Sequence, residues 1–333
     1  MTTALITGAS GQDGTILSHM LTHEGINVVG LIKPGTDCRQ LVRYAPQIDL
    51  VECDLANATG LTDIALAKKP DFIYNLGGFT APGDSWDHQE EVQQINVGAV
   101  EALLNAMKQL PKESRMFQAS SALVFEGVDR SPQTEAMETG PKSPYAKSKA
   151  DAMALVRAAR ENEGLFAVSG VFYNHESPLR GPNFVTRKIS MAVAKIAAGK
   201  QDRLELGDIE VARDWGWAPD YVQAAKLMLE ADQPHDYLLA TGISHRLSYF
   251  ITKAFQAAGI TDWADLVVST SDNARQADTN LLVGESRAAY TNLGWRHTVD
   301  FDSMARQMVQ FDLAKLEDPE LLWQPNIESA RAN

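Results

Sequence analysis

A tyrosine and a lysine four residues apart are the clearest candidates for chemistry in this sequence. They are Tyr145 and Lys149, and on a helix that spacing places both side chains on one face, one turn apart. A free phenol has a pKa of about 10, so it acts as a base at neutral pH only beside a cation, which Lys149 supplies. Ser121, at the end of a strand-like segment, could hydrogen-bond the same substrate oxygen. The three side chains predict proton transfer at a substrate hydroxyl or carbonyl.

A glycine-rich turn follows the first apolar segment. Residues 3–7 predict a short buried strand, and the segment after the glycines has an apolar helical pattern. Glycines in such a turn let backbone N–H groups approach a pyrophosphate at the start of the helix. The turn therefore predicts a dinucleotide site, and an ordinary strand–helix turn is the alternative. The predicted cofactor-binding residues here are Gly8, Gly11, Gln12, Asp13 and Gly14.

The second predicted strand, residues 27–32, runs into a cation. An acidic residue at this point would accept the ribose hydroxyls of NAD, whereas Lys33 suits the 2′-phosphate of NADP. We therefore predict NADP, with NAD not excluded. Asp54 is interpreted as an adenine contact or, alternatively, as a turn residue. The remaining predicted cofactor contacts, at the ends of the third and fourth strands, are Leu55 and Leu76.

Strand and helix patterns alternate along the first half of the chain. This alternation predicts an α/β fold with a Rossmann-type, doubly wound parallel sheet. A loop region is expected over residues 175–187, and a returning strand near 237–241 indicates a smaller, interleaved C-terminal domain. The predicted strands are 3–7, 27–32, 48–53, 72–76, 115–120 and 166–172, with helices such as 97–109 and 145–163 between them.

The glycine turn, the serine and the tyrosine–lysine pair together resemble the extended short-chain dehydrogenase/reductases. In that family these three residue types carry hydride transfer, so the resemblance implies catalytic roles for Ser121, Tyr145 and Lys149, the last two also contacting the cofactor. A narrower resemblance, to the GDP-mannose 4,6-dehydratases, covers nearly the whole chain. It rests on YNHESPLRG at 173–181, NFVTRK at 183–188, RDWG at 213–216, DYV at 220–222, LLVG at 281–284 and LGW at 293–295.

The narrower resemblance implies a nucleotide-sugar substrate, GDP-linked, and a homodimer or homotetramer. Cations in an otherwise acidic chain suit a diphosphate, although each alone is more often a solvated charge. The domains implied are an NAD(P)-binding domain over 1–172, an interleaved nucleotide-sugar-binding domain over 173–325 and a frayed tail over 326–333. The implied substrate-binding residues are Thr80, Asn174, Asn183, Val185, Lys188, Arg213 and Arg275.

The sequence departs from the dehydratases where they carry a glutamate that removes the sugar C5 proton. Leu123 stands in that place and cannot exchange a proton, so elimination of water would need another base, such as Glu126. Residues 77–82 also differ from the family pattern near the nicotinamide. We expect a dehydratase-like enzyme that transfers hydride at C4 of a GDP-hexose. The alternatives are a 4-epimerase, a 4-ketosugar reductase, or a non-catalytic NADP-binding sensor or partner subunit.

Composition excludes several other classes of function. The chain has 30 basic and 43 acidic side chains in 333 residues, and the net charge of −13 disfavours binding to nucleic acids or anionic membranes. No apolar run is long enough for a membrane span. The two cysteines lack metal-ligand spacing, and His19 and His23 have no third ligand, so no metal is predicted. A cytoplasmic protein is expected.

Overall fold

The computed structural model describes residues 2–269 and 281–325. Its centre is a seven-stranded sheet in which every neighbouring pair of strands is parallel. The strands, in chain order, are β1 (Thr3–Thr7), β2 (Asn27–Ile32), β3 (Asp49–Glu52), β4 (Phe72–Asn75), β5 (Arg115–Ser121), β6 (Phe166–Phe172), β7 (Asn174–Glu176), β8 (Leu204–Leu206), β9 (Ala212–Trp217), β10 (Tyr237–Leu239), β11 (Ser244–Arg246) and β12 (Val267–Ser269).

Helices connect the strands and cover both faces of the sheet. They are α1 (Gln12–His23), α2 (Arg39–Tyr44), α3 (Ala58–Lys68), α4 (Gln89–Gln93), α5 (Ala99–Met107), α6 (Pro144–Glu163), α7 (Val185–Ala197), α8 (Ala218–Glu230), α9 (Leu247–Ala257), α10 (Arg287–Leu293) and α11 (Phe301–Glu317). A wide π-helical turn, Gln94–Gly98, joins α4 to α5.

The central sheet has the order β10-β6-β5-β4-β1-β2-β3. Successive side chains of a strand face opposite sides, and β1 shows this directly because Ala4 and Ile6 lie in one core cluster while Leu5 lies in the other. Burial on both faces explains why the strands read as continuous apolar runs. The predicted doubly wound parallel sheet is confirmed. The order in which successive strands are added to the sheet reverses between β1 and β4, which is the place where such folds bind ligands.

Part of the chain after the sixth strand forms smaller sheets. β11, β9 and β7 make a three-stranded sheet, and β12 pairs with β8. Residues 174–176 and the start of α7 at Val185 therefore carry regular structure inside the region predicted as a loop. The chain returns to the central sheet at β10, which pairs with β6 over Tyr237–Leu239.

The helix that carries the tyrosine and the lysine has well-defined ends. Ser143 caps the start of α6 by accepting a hydrogen bond from the Ala146 amide at 3.2 Å, and Pro144 occupies the first turn. Gly164 ends the helix with φ of 68°, a conformation that glycine adopts without strain. Neither stretch 2–269 nor stretch 281–325 contains a helix that is long and apolar enough to cross a membrane.

Candidate active site

The glycine turn lies between β1 and α1, at the carboxyl edge of the central sheet. Gly8 has φ of +66°, and a Cβ added there would lie 2.7 Å from the Gly77 Cα atom. A Cβ on Gly14 would lie only 2.3 Å from the Gly8 carbonyl oxygen, and one on Gly11 would lie 3.3 Å from that oxygen. Glycine is therefore required for the turn to close against the end of β4. The first N–H groups of an α-helix have no acceptor within the helix, so the start of α1 at this turn offers the donors that a pyrophosphate needs.

Gln12 and Asp13 connect this turn to β7 and to the residues after it. Asp13 Oδ2 lies 2.9 Å from His175 Nε2, and Gln12 donates a hydrogen bond to the His175 carbonyl oxygen at 3.1 Å. Ser177 donates to Gln12 Oε1 at 2.8 Å. Burial alone would raise the pKa of Asp13, but attraction to His175 and Arg180 and hydrogen bonds from His175 and Gln12 outweigh it and lower that pKa. Gln12 and Asp13 therefore join the glycine turn to β7 and to the residues that follow β7.

A chain of hydrogen bonds crosses the ends of three strands and reaches the lysine. Thr7 donates to Asn75 at 2.6 Å, and Asn75 donates to Gln118 at 2.6 Å. Gln118 donates to the Ala119 carbonyl oxygen at 2.8 Å, and Lys149 Nζ donates to the same oxygen at 3.1 Å. These bonds fix the ammonium group of Lys149 at the carboxyl edge of the sheet.

The three predicted catalytic residues come together here. Ser121 ends β5 and shares a hydrogen bond with Tyr145, while Lys149 Nζ lies 5.9 Å from the centroid of the Tyr145 ring. Burial lowers the pKa of Lys149 to about 8. Burial also raises the pKa of Tyr145, and the hydrogen bond with Ser121 and the positive charge of Arg180 oppose that rise. The arrangement can place a phenol and an ammonium beside one substrate oxygen.

Asn96 supports the first turn of α6, although its sequence context gave no indication of this. It lies in the π-helical turn, donates to the Ser148 hydroxyl at 2.9 Å and accepts from the Phe79 amide at 2.8 Å. Ser148 in turn donates to the Tyr145 carbonyl oxygen at 2.8 Å. Asn96 therefore ties the segment after β4 to the turn that carries the tyrosine. A π-helical turn often marks such a site, but a sequence pattern does not reveal it.

Arg180 is a second functional candidate that we did not single out from the sequence. Its guanidinium carbon lies 3.6 Å from the centroid of the Phe184 ring, and its Nε lies 3.4 Å from Glu176 Oε2. Its charge acts on both Asp13 and Tyr145. Arg180 therefore places a cation between the glycine turn and the tyrosine, where an anionic group of a ligand would meet it.

The predicted cofactor contacts beyond the turn follow the carboxyl ends of their strands. Lys33 is exposed directly after β2. Asp54 is also exposed, and its carboxylate accepts a hydrogen bond from the Ala56 amide at 3.0 Å, as a turn residue does. A Cβ on Gly77 would lie 2.7 Å from Leu55 Cδ1, so Leu55 packs beside the end of β4, which Leu76 directly follows.

The predicted substrate residues are distributed over β7, β9 and the start of α7. Asn174 is half-buried and pairs in register with Trp215 in β9, the strand that also carries Arg213. Arg213 donates to the Ala212 carbonyl oxygen at 2.7 Å. Lys188 donates to the Glu205 carbonyl oxygen at 2.7 Å, so its ammonium already holds β8. Thr80 and Asn183 are exposed, Val185 begins α7, and Arg275 lies outside the described residues.

The position expected to carry a base for elimination of water is apolar. Leu123 lies in a short 3₁₀ turn after β5, and its amide donates to the Ser121 hydroxyl at 3.3 Å. Glu126 accepts hydrogen bonds from the amides of Lys142 and Ser143, immediately before α6. Its carboxylate therefore stabilises the entry to that helix, and the role of Glu126 as a replacement base stays a prediction.

No metal site is found in the portion of the chain described, because no three His, Cys, Asp or Glu side chains there are grouped to hold an ion. His19 instead donates a hydrogen bond from Nδ1 to the Tyr44 carbonyl oxygen, 2.9 Å away.

Comparison with known proteins gives the family. The profile of the family described as GDP-mannose 4,6 dehydratase matches residues 5–308. The GDP-mannose 4,6 dehydratase of Cricetulus griseus is 35% identical over 338 residues, which cover 93% of this chain and 91% of that protein. Among solved structures, the UDP-glucose 4-epimerase of Thermotoga maritima has a TM-score of 0.84 at 17% identity, covering 95% of this chain and 100% of that one. RMD from Pseudomonas aeruginosa, solved with NADPH, has a TM-score of 0.78 at 22% identity, covering 94% and 100%.

These similarities span nearly the whole chain and confirm the resemblance that the motifs indicated. The structural matches support the parallel-sheet fold, and the sequence matches also identify the family. The chain belongs to the GDP-mannose 4,6-dehydratase family of the short-chain dehydrogenase/reductases.

Proposed function

We propose that the protein is an NADP-dependent enzyme that transfers hydride at C4 of a GDP-linked hexose. The observation that carries this proposal is the convergence of Ser121, Tyr145 and Lys149 at the carboxyl edge of the sheet, beside the glycine turn. Family membership supports the GDP-mannose-like substrate. When bound, NADP+ supplies the hydride acceptor for C4 of the sugar.

The side chains divide the proton chemistry between them. Tyr145 takes the proton of the C4 hydroxyl as C4 is oxidised, and returns it in the reverse direction. Lys149 stabilises the phenolate by its charge, and its bond to the Ala119 carbonyl oxygen keeps the ammonium in place. Ser121 holds the substrate oxygen beside the phenol. Because all three are carried by the end of β5 and the first turns of α6, their spacing is set by rigid elements.

The glycine turn fits a dinucleotide, because its free helix N–H groups and lack of side chains suit a pyrophosphate. Lys33 would meet the 2′-phosphate of NADP, and Asp54, Leu55 and Leu76 would line the path toward the adenosine. We assign the nucleotide sugar to Thr80, Asn174, Asn183, Val185, Lys188, Arg213 and Arg275, with Arg180 as a further cation for a phosphate or sugar oxygen.

Replacement of Tyr145 by Phe tests the proposal. Tyr145→Phe removes the proton acceptor but keeps the ring, so we expect turnover of GDP-mannose to fall by about 10²- to 10⁴-fold with little change in the Kd for NADP+. Tyr290→Phe is the matched control, since Tyr290 is 53% exposed in α10. Mass spectrometry of the sugar nucleotide and calorimetric titration of NADP+ would measure the two quantities. Equal, measurable turnover in wild type and Tyr145→Phe would mean that Tyr145 is not the proton acceptor, and wild type that binds NADP+ without turnover would support a cofactor sensor instead.

One observation favours a second candidate function, in which the 4-keto sugar does not lose water. Leu123, whose amide bonds to Ser121, has a side chain that cannot act as a base. Without a base for elimination, the 4-keto sugar would be reduced again, which makes a 4-epimerase or a 4-ketosugar reductase the second candidate.

We also propose a homodimer or homotetramer, as the resemblance implies, and light scattering of the purified chain would measure its mass. A cytoplasmic location is supported by the two cysteines, Cys38 and Cys53, which are both free thiols.

A further inference from the structure

Elimination of water from a hexose sets a strict chemical requirement. Once C4 is a ketone, the C5 proton is acidic, and a base must reach it before the C6 hydroxyl can leave. C5 is bonded directly to C4, the atom next to the oxygen that Ser121 and Tyr145 hold. The base must therefore lie within a few ångströms of these two side chains.

Leu123, in the 3₁₀ turn that follows β5, cannot serve as this base. The Leu123 amide donates a hydrogen bond to Ser121 Oγ at 3.3 Å, so Leu123 lies two positions beyond the serine proposed to hold the substrate oxygen. Leu123 is half-buried and packs against the main hydrophobic cluster. An isobutyl group neither accepts nor donates a proton.

Carboxylates that lie around the site are engaged in other bonds. Glu126 accepts from two backbone amides ahead of α6, and Asp13 pairs with His175. Glu176 accepts from the Thr186 hydroxyl at 2.5 Å and pairs with Arg180. Within the described residues, each of these three carboxylates is therefore already bonded to another group of the protein.

The electrostatics of the catalytic pair agree with this arrangement. Burial is what lowers the pKa of Lys149, and a nearby carboxylate would act in the opposite direction. Burial raises the pKa of Tyr145, and the charge that acts on it is the cation of Arg180. His88, whose ring lies 6.0 Å from that of Phe79, is exposed and pairs with Glu91.

We propose that this chain exchanges the 4-hydroxyl and 4-keto forms of its GDP-hexose without eliminating water, and that Leu123 determines this outcome. The inference rests on the C4 hydride transfer proposed above. In one direction the C4–H bond breaks, its hydride reduces NADP+ and the hydroxyl proton goes to Tyr145. In the other, Tyr145 returns the proton to the oxygen at C4, and bound NADPH would supply the hydride for C4. The C5–H bond and the oxygen at C6 remain untouched in both directions.

Restoring the base provides the test. The full-length wild type, Leu123→Glu and the uncharged control Leu123→Gln would be incubated with GDP-mannose and NADP+ in deuterated water. Mass spectrometry follows loss of water and uptake of deuterium at C5, while nicotinamide absorbance in single turnover follows hydride transfer. Calorimetric binding of NADP+ confirms that each variant is folded.

We expect wild type and Leu123→Gln to transfer hydride with no loss of water and no deuterium at C5. Leu123→Glu should gain water loss by at least about 10²-fold, the lower range for one general base. Wild-type protein that loses water and takes up deuterium would overturn the inference while leaving C4 hydride transfer intact. Absence of hydride transfer in every variant, both from GDP-mannose to NADP+ and from NADPH to a 4-keto GDP-sugar, would overturn the proposed function and the inference together.

Discussion

The carboxylate of Asp13 and the imidazole of His175 meet at 2.9 Å, although 162 residues separate them. One residue belongs to the glycine turn and the other to β7. His175 Nδ1 also lies 2.7 Å from the Tyr173 carbonyl oxygen, and its ring stacks on Tyr221 at 4.8 Å. This contact and the hydrogen bonds of Gln12 therefore hold the turn proposed for the cofactor against the strand proposed for the sugar.

Asp13→Asn should weaken the fold and change its response to acid. Because the folded state lowers the pKa of Asp13, the wild-type carboxylate stabilises the fold above its ordinary pKa of 3.8, and this contribution is lost as the pH falls through the lower folded value. We expect the free energy of unfolding at pH 7 to fall by about 1–3 kcal/mol. Urea unfolding at pH 7 and pH 3 would measure both effects.

The control for that experiment is Asp63→Asn, since Asp63 is exposed in α3. It should leave the free energy of unfolding within about 0.5 kcal/mol of wild type. If Asp13→Asn kept the full acid dependence of wild type, the pair with His175 would not contribute to stability.

Lys149→Met should produce an inactive but more stable protein. The folded pKa of Lys149 is about 8, below the ordinary value of 10.5, so its charged form destabilises the fold below pH 8. Between these two pH values the unfolded chain binds more protons, and wild-type stability rises with pH. Methionine carries no charge and so removes the free-energy cost of burying the ammonium group. At pH 7 we expect the free energy of unfolding to rise by about 1–3 kcal/mol.

The difference in free energy of unfolding between Lys149→Met and wild type should depend on pH, and this dependence tests its cause. Denaturant unfolding of both proteins from pH 7 to pH 11 should show the advantage of Lys149→Met shrinking above pH 8. A variant that is less stable than wild type at pH 7 would mean that the hydrogen bond to the Ala119 carbonyl oxygen outweighs the burial of the charge.

Gly14→Ala should impair both folding and cofactor binding. The new methyl group would lie 2.3 Å from the Gly8 carbonyl oxygen and 2.6 Å from the Ala9 Cα atom, so the turn must open. We expect a loss of at least about 2 kcal/mol in the free energy of unfolding and a raised Kd for NADP+. Gly98→Ala is the matched control, because a Cβ there meets nothing within 4 Å and φ is −59°.

Alanine lowers the backbone entropy of the unfolded chain, so the Gly98→Ala control should stabilise the protein by about 0.5–1 kcal/mol. Thermal unfolding and titration of NADP+ would be measured for both variants. Unchanged NADP+ affinity in Gly14→Ala would argue against the glycine turn as the pyrophosphate site.

Lys33→Glu should change cofactor choice. If Lys33 meets the 2′-phosphate, reversing its charge weakens NADP+ by about 10-fold or more and leaves NAD+ unchanged or improved. Lys112→Glu makes the same change of charge at an exposed site after α5. The ratio of the two Kd values is the readout, and an equal ratio in wild type and Lys33→Glu would remove Lys33 from the site.

Features set by neighbouring residues were predictable from the sequence, and contacts between distant segments were not. The glycine turn after β1 and the spacing of Tyr145 and Lys149 depend on local geometry, so pattern alone places them. Asn96 acts through a π-helical turn, and Arg180 acts through the approach of one loop to the tyrosine. Both need the tertiary structure to be seen.

One prediction was wrong for a physical reason. Residues 175–187 were expected to form a loop because they carry two prolines, a glycine and several charges, yet residues 175–176 belong to β7, which gains its strand conformation by pairing with β9. Glu126 was proposed as a base from its position in the sequence, which did not reveal that its carboxylate accepts hydrogen bonds from two amides ahead of α6. In both places a partner distant in the chain sets the local structure.

Transfer of hydride from C4 of the sugar to NADP+ is the central claim, and isotope transfer measures it most directly. Wild-type protein in excess would be mixed with NADP+ and GDP-mannose that carries deuterium at C4, and the cofactor would be recovered for mass spectrometry. We predict deuterium on the nicotinamide ring in wild type and its near absence in Tyr145→Phe. A wild-type protein that binds both ligands but leaves the cofactor free of deuterium would contradict the account.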